Sequence, residues 1–209
     1  MKIFLFTLIA LVAFALNSVL CRMALGNESA DAFSFTVIRL VSGAATLFII
    51  LAIRDRRGSI SKRGSWVSAF FLFSYAVFFS LAYLGLTTAT GALILFSSVQ
   101  LTMVLTAIIS GNKPTKFEWI GLVIAFAGFV YLVLPGVSSP PPVYSLLMAT
   151  AGISWGFYTI RGKGSEDPLA DTAGNFVRTL PFLLIPLAGA IWASTPLSMS
   201  GAGLAVLSG

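Results

Sequence analysis

Apolar runs of about twenty residues follow one another through this chain, parted only by short loops, and that succession leaves very few architectures open. A helix needs roughly 20 residues to cross about 30 Å of hydrocarbon, and only helices or closed barrels satisfy every backbone hydrogen bond there. The runs predict transmembrane helices at 3–25, 32–53, 65–86, 91–111, 117–134, 143–160 and 173–192, with an eighth starting near Gly201. The breaks carry turn chemistry: Gly26 to Asp31, the basic segment 54–64, Thr87 to Thr90, Asn112 to Lys116, and Pro135 to Pro142. With 57% hydrophobic residues, 10% charged and a mean hydropathy of +0.96, the chain has too little polar residue to coat a water-soluble globule. The expected fold is all-α, a polytopic transmembrane helix bundle.

Charge orients the bundle. Lys2 precedes the first run, Arg54, Arg56, Arg57, Lys62 and Arg63 follow two crossings, Lys113 and Lys116 follow four, and Arg161 and Lys163 follow six. The intervening loops 26–31, 87–90, 135–142 and 193–200 hold no lysine or arginine. Short basic loops stay in the cytoplasm, so the N-terminus is expected there, in a multi-pass protein of the plasma or inner membrane. The pI near 9.8 therefore reports topology and implies no nucleic-acid partner. Lys2 before an apolar run and Ala13-Phe14-Ala15 imitate a signal peptide, and Cys21 a lipoprotein site. Leu20 is too large for such processing and the run extends toward Leu25, so a helix is expected. Cys21 itself reads as a small buried packing residue.

An internal repeat divides the bundle. Arg22 and Arg39 recur as Arg161 and Arg178, each displaced by 139 positions. Five helices per copy would make the second copy enter from the opposite side, and the loop charges invert accordingly. Basic 54–63 corresponds to uncharged 193–202, and Met23-Ala24-Leu25 corresponds to Gly162-Lys163-Gly164. The expectation is two inverted five-helix repeats with the second incomplete, a first copy over 1–134 and a partial second over 143–209. The same offset predicts roughly three further helices and places the start of the eighth near Leu204.

Several segments resemble the EamA-type members of the drug/metabolite transporter superfamily. They are Ser154-Trp155-Gly156-Phe157-Tyr158 followed by Arg161, Phe35-Thr36-Val37-Ile38-Arg39-Leu40, Asn175-Phe176-Val177-Arg178, and the small-residue stretch Gly91 to Thr115 with the glycine-bearing helix from Trp119 to Gly128. The sequence departs from the pattern at Leu16-Asn17, where relatives carry tryptophan-glycine, at Gln100, where many have proline, and at Asn112, where many have glutamate. The resemblance implies a ten-helix permease or exporter of small metabolites or drug-like solutes, working by alternating access.

Charges inside hydrocarbon are costly unless they face a cavity or a partner, which makes Arg39 and Arg178 the leading candidates for substrate binding. Arg39 lies about seven residues, or roughly 10 Å, inside the second helix, and Arg178 at a mirrored depth in the seventh. They either bind anionic groups of a substrate, lock helices together, or snorkel to headgroups. Arg22 and Arg161 lie at helix ends, where anchoring to headgroups is expected. Asn17, Gln100 and Asn175 would hydrogen-bond a ligand or a neighbouring helix, and Trp155, Tyr158 and Tyr83 would stack on a substrate or pack. Glu28, Asp31, Asp55, Glu118, Glu166, Asp167 and Asp171 all map to loops or helix ends, so no proton relay crosses the chain. Gly121 with Ala125 forms a small-residue pair that would serve internal packing or a homodimer, and Pro181 and Pro186 are expected to kink the seventh helix.

The expected function is transport of a small-molecule substrate within the lipid bilayer. An enzyme would want paired carboxylates, a histidine or cysteine cluster or a metal site, and the chain has no histidine and one cysteine. No cofactor is expected. A non-transporting scaffold or an inactive fragment is the contrasting reading.

Overall fold

The computed structural model describes residues 2–26, 29–54, 63–111, 115–133, 140–191 and 197–209. Their regular structure is helical throughout: α1 (Lys2–Gly26), α2 (Ala32–Arg54), α3 (Trp66–Ala82), α4 (Thr88–Ile109), α5 (Lys116–Val133), α6 (Pro142–Gly162), α7 (Pro168–Thr179), a 3₁₀ turn (Leu180–Leu183), α8 (Leu184–Ile191) and α9 (Met199–Ser208). Five segments are long and apolar enough to span a membrane, with α7, the 3₁₀ turn and α8 acting as one of them over Pro168–Ile191. Outward-facing apolar side chains such as Phe4 on α1 and Phe117 and Ile124 on α5 are exposed to an extent that only lipid makes inexpensive.

The helices interlock through α3 and α9. α3 packs against α6 and α7, while α9 packs against α1 and α2, and α2 and α7 pack on each other. Paired as the 139-residue offset in the sequence suggests, α1, α2 and α3 with α6, α7 and α9, the third helix of each set lies against the first two of the other. α3 is the most enclosed. Leu72, Tyr75, Ala76 and Phe79 on it are buried, and Phe71 stacks on Phe157 of α6 at 5.3 Å.

Small residues bring α6 onto α4. A Cβ on Gly152 would stand 2.6 Å from the Leu95 carbonyl oxygen, and one on Gly156 would stand 2.9 Å from the Thr102 side chain. Around Gly121 the equivalent position meets nothing within 4 Å, so this glycine is not used for packing within the described residues.

Several boundaries differ from the sequence expectation, each for a local reason. The break expected at Thr87 to Thr90 lies instead at Tyr83 to Thr87, since Thr87 caps α4 by accepting from the Thr90 N–H at 3.3 Å and the helix runs on from Thr88. α3 stops at Ala82, four residues early, and the chain turns through Tyr83–Leu86, where the Gly85 and Leu86 N–H groups both return to the Ala82 carbonyl. α7 starts at Pro168 rather than 173. Asp167 caps it, accepting from the Ala170 N–H at 3.3 Å, and proline occupies the first turn. α9 starts at Met199 rather than near Gly201 or Leu204, because Ser198 caps it and also donates to the Ser29 carbonyl at 2.7 Å. Pro181 sits in the 3₁₀ turn, as the expected kink requires. Glu28, Asp55, Arg56, Arg57, Lys62, Asn112, Lys113, Leu134 and the stretches 135–139 and 192–196 lie outside the described residues.

Candidate substrate site

Arg39 is carried eight residues into α2, to a depth where its side chain is only 7% exposed. Its Nη2 donates to the Tyr75 hydroxyl oxygen at 3.3 Å and its Nη1 to Cys21 Sγ at 3.8 Å. The guanidinium lies 5.1 Å from the Phe79 ring centroid and 5.4 Å from that of Tyr75. Asn17 closes the circuit, donating from Nδ2 to the same Tyr75 oxygen at 3.3 Å and accepting from Cys21 Sγ at 3.7 Å. Arg39, Cys21, Asn17 and Tyr75 thus form a ring of hydrogen bonds joining α1, α2 and α3. Among the described residues no carboxylate comes within ion-pair distance of Arg39.

This ring borders a cavity of about 350 Å³, lined also by Phe14, Trp155, Tyr158, Thr172 and Phe176. Much of the remaining wall is aromatic: Trp155 lies 4.7 Å from Tyr75, 5.3 Å from Tyr158 and 5.9 Å, edge-on, from Phe14.

α7 serves two surfaces through its helical period. Thr172 and Phe176, four apart, face the cavity. Asp171, Asn175 and Arg178, displaced by one residue along the helix, face the turn that starts α3. Asp171 accepts from the Gly64 N–H at 3.2 Å and from Ser165, Asn175 Oδ1 accepts from the Ser65 N–H at 2.8 Å, and Arg178 donates to the Arg63 carbonyl. Gly64 adopts φ of +81°, and a Cβ on Gly174 would lie 2.1 Å from the Arg63 oxygen, so both glycines are what let the turn sit on α7. Arg54 pairs with Asp167 at 3.1 Å across the same face. The Ala170 N–H, and then the Arg54 charge, hold the Asp167 carboxyl below its ordinary value. Together these contacts form a polar latch, on the α7 face beside Thr172, between the α2–α3 region and the α6–α7 region.

Of the residues singled out in the sequence, Asn17, Arg39, Trp155 and Tyr158 meet at the cavity. Asn175 and Arg178 belong to the latch, and the Arg178 guanidinium also leans over Trp66 at 6.0 Å. Tyr83 is fully buried at the end of α3, with its ring edge-on to Phe79, and Gln100 is exposed on α4, away from the cavity. Tyr75, Phe14 and Phe176 are additions from the structure. Tyr75 sits on α3 without a motif, and its only sequence signal is a hydroxyl inside an otherwise apolar run. Cys21, read as packing, is both fully buried and part of the Arg39 ring.

A helical bundle with several spanning segments, lipid-facing apolar surfaces and an internal cavity ringed by polar groups defines a multi-pass membrane protein. The chain belongs to the EamA-like transporter family, whose model matches residues 1–134. It is 45% identical over 204 residues to an uncharacterized protein of Pseudomonas aeruginosa, a match covering 96% of this chain and 69% of that protein. A protein of known crystal structure shares the fold, with a TM-score of 0.65 at 21% identity, over 95% of this chain and 72% of the other.

Proposed function

We propose that this protein is a permease or exporter of small solutes, seated in the plasma or inner membrane with its N-terminus in the cytoplasm, and that it works by alternating access between two inverted helix sets. The reading is of a carrier and not an enzyme. The observation that supports it is the cavity between α1, α2 and α3 and α6, α7 and α9, lined by the Arg39 ring and by aromatic rings. Arg39, Asn17, Tyr75, Trp155 and Tyr158 would touch the solute. The latch of Asp171, Asn175, Arg178 and the Arg54–Asp167 pair would close the basic face when the cavity opens to the other side. Such an arrangement is bistable through interfaces made of discrete polar contacts, which break together as one set rocks on the other.

The test reads access directly. In a Cys21→Ser background, Ala76→Cys places a single thiol in the cavity wall. A membrane-impermeant thiol reagent is expected to reach it from either side of vesicles of both orientations. Bridging Arg54→Cys to Asp167→Cys with a bifunctional thiol reagent is expected to remove labelling from the basic side alone. Labelling from one side only in unbridged protein would overturn alternating access.

A further inference from the structure

The chemistry around Arg39 restricts what the cavity can hold. A guanidinium has five N–H donors and no acceptor, and here one donates to a phenol oxygen and one to a thiol sulfur, neither of which carries charge. The rings of Tyr75 and Phe79 offer their faces but no counter-ion. A buried cation without an opposite charge is expensive to maintain, and that cost falls when an anion arrives to share its hydrogen bonds. Tyr75 adds a second donor. Its oxygen already accepts from both Asn17 and Arg39, which uses its acceptor capacity and leaves its own proton to be given away.

The rest of the wall sets the remainder of the ligand. Phe14, Trp155, Tyr158 and Phe176 present rings, and no aspartate or glutamate side chain is among the described lining residues. A zwitterion would bring an ammonium group into the field of Arg39 with no carboxylate side chain in the wall to receive it. A dianion would bring a second negative charge with no second cation, since Arg178 is spent on the latch. A cavity of about 350 Å³ admits a body of one or two fused rings.

We propose that the cavity takes an organic monoanion with a flat apolar body, its anionic head on Arg39 and the Tyr75 hydroxyl and its body between the Trp155 and Phe14 side and Phe176. This assignment rests on the cavity being the solute site.

The experiment compares head groups on one frame. Benzoate, benzamide and benzamidine share a body and differ in charge, as do the three naphthalene analogues, and all six are titrated at neutral pH into the purified full chain carrying Trp66→Phe, Trp119→Phe and Trp192→Phe, so that the emission followed is that of Trp155. The acids are expected to give saturable changes and to bind about tenfold or more tightly than the amide or amidine on the same frame. Tyr75→Phe, which keeps the ring beneath Arg39, is expected to weaken acid binding about threefold to tenfold while leaving the amide unchanged. Equal or tighter binding of an amide or amidine would overturn the monoanion assignment and leave the cavity as the solute site. No binding of either acid up to about 10 mM would overturn it as well, with the Ala76→Cys labelling deciding the transport reading independently.

Discussion

Arg22 and Arg161, 139 positions apart in the sequence, hold opposite ends of one helix. Arg22 Nη1 donates to the Tyr83 carbonyl at 2.8 Å, at the C-terminal end of α3. Arg161 donates from Nε to Ser68 Oγ at 3.2 Å and from Nη2 to Ser65 Oγ at 3.3 Å, at its start. α3 has little access to lipid and is seated between both helix sets, so the two arginines fix its height within the bundle. Both arginines thus contact α3, a role that their positions at helix ends do not reveal.

Removing the two grips should have unequal effects. Arg22 is half-buried and its cation meets a helix C-terminus, so Arg22→Gln is expected to cost about 1–2 kcal/mol. Arg161 is exposed and bonds neutral hydroxyls, so Arg161→Gln should cost less than about 1 kcal/mol. Thermal unfolding in detergent orders the two, and an equal or inverted order would argue against the grip.

The close approach of α6 to α4 makes a second prediction. Gly152→Ala puts a methyl group against the Leu95 carbonyl and the Ser98 Cβ, each 2.6 Å away, and should cost about 1–3 kcal/mol. Gly121→Ala, with nothing within 4 Å, is expected to stay within about 0.5 kcal/mol of the parent in the same assay.

These contacts mark the boundary of what the sequence makes legible. Helix type and membrane-spanning character follow from hydropathy, which acts over about twenty residues at a time and needs no partner. Arg39 was readable because a charge in an apolar run has few neutral explanations. Tyr75 was not, since the chain is 13% aromatic and which aromatic meets Arg39 depends on how α3 is rotated against α2. The start of α7 was lost because Glu166 to Thr172 looks like a loop by polarity, whereas those polar groups cap the helix and bind the Gly64 turn. Gln100 and Asn175 are alike in sequence, an amide in or near an apolar helix. Only tertiary packing sends the first outward and the second onto the Ser65 N–H.

Acid should loosen the latch from the Asp167 side. Its carboxyl is held below the usual 3.8 by the Ala170 N–H and by Arg54. A group whose folded pKa is depressed contributes stability above its unfolded value and loses it as pH falls through the folded one. Thermal stability is therefore expected to be insensitive to this group between about pH 5 and 8 and to fall below about pH 4. Asp167→Asn, which can still cap α7, should flatten that acid limb, whereas an unchanged limb would assign the acid sensitivity to other carboxylates.

The Arg39 ring can be separated from a purely structural lock by asking what its removal does to stability and binding together. A lock made of a buried cation and neutral partners is a poor stabiliser, because the desolvation of the guanidinium offsets most of what Tyr75, Cys21 and the ring faces return. Arg39→Met fills similar volume without a charge, and the Asn17–Tyr75 hydrogen bond survives it. The expected outcome is a melting temperature equal to or above the parent's with acid binding weakened about tenfold or more, measured on the same preparation. A melting temperature lowered by several degrees with head-group preference retained would instead make Arg39 a clamp between α2 and α3, and would return the choice of solute to the aromatic wall.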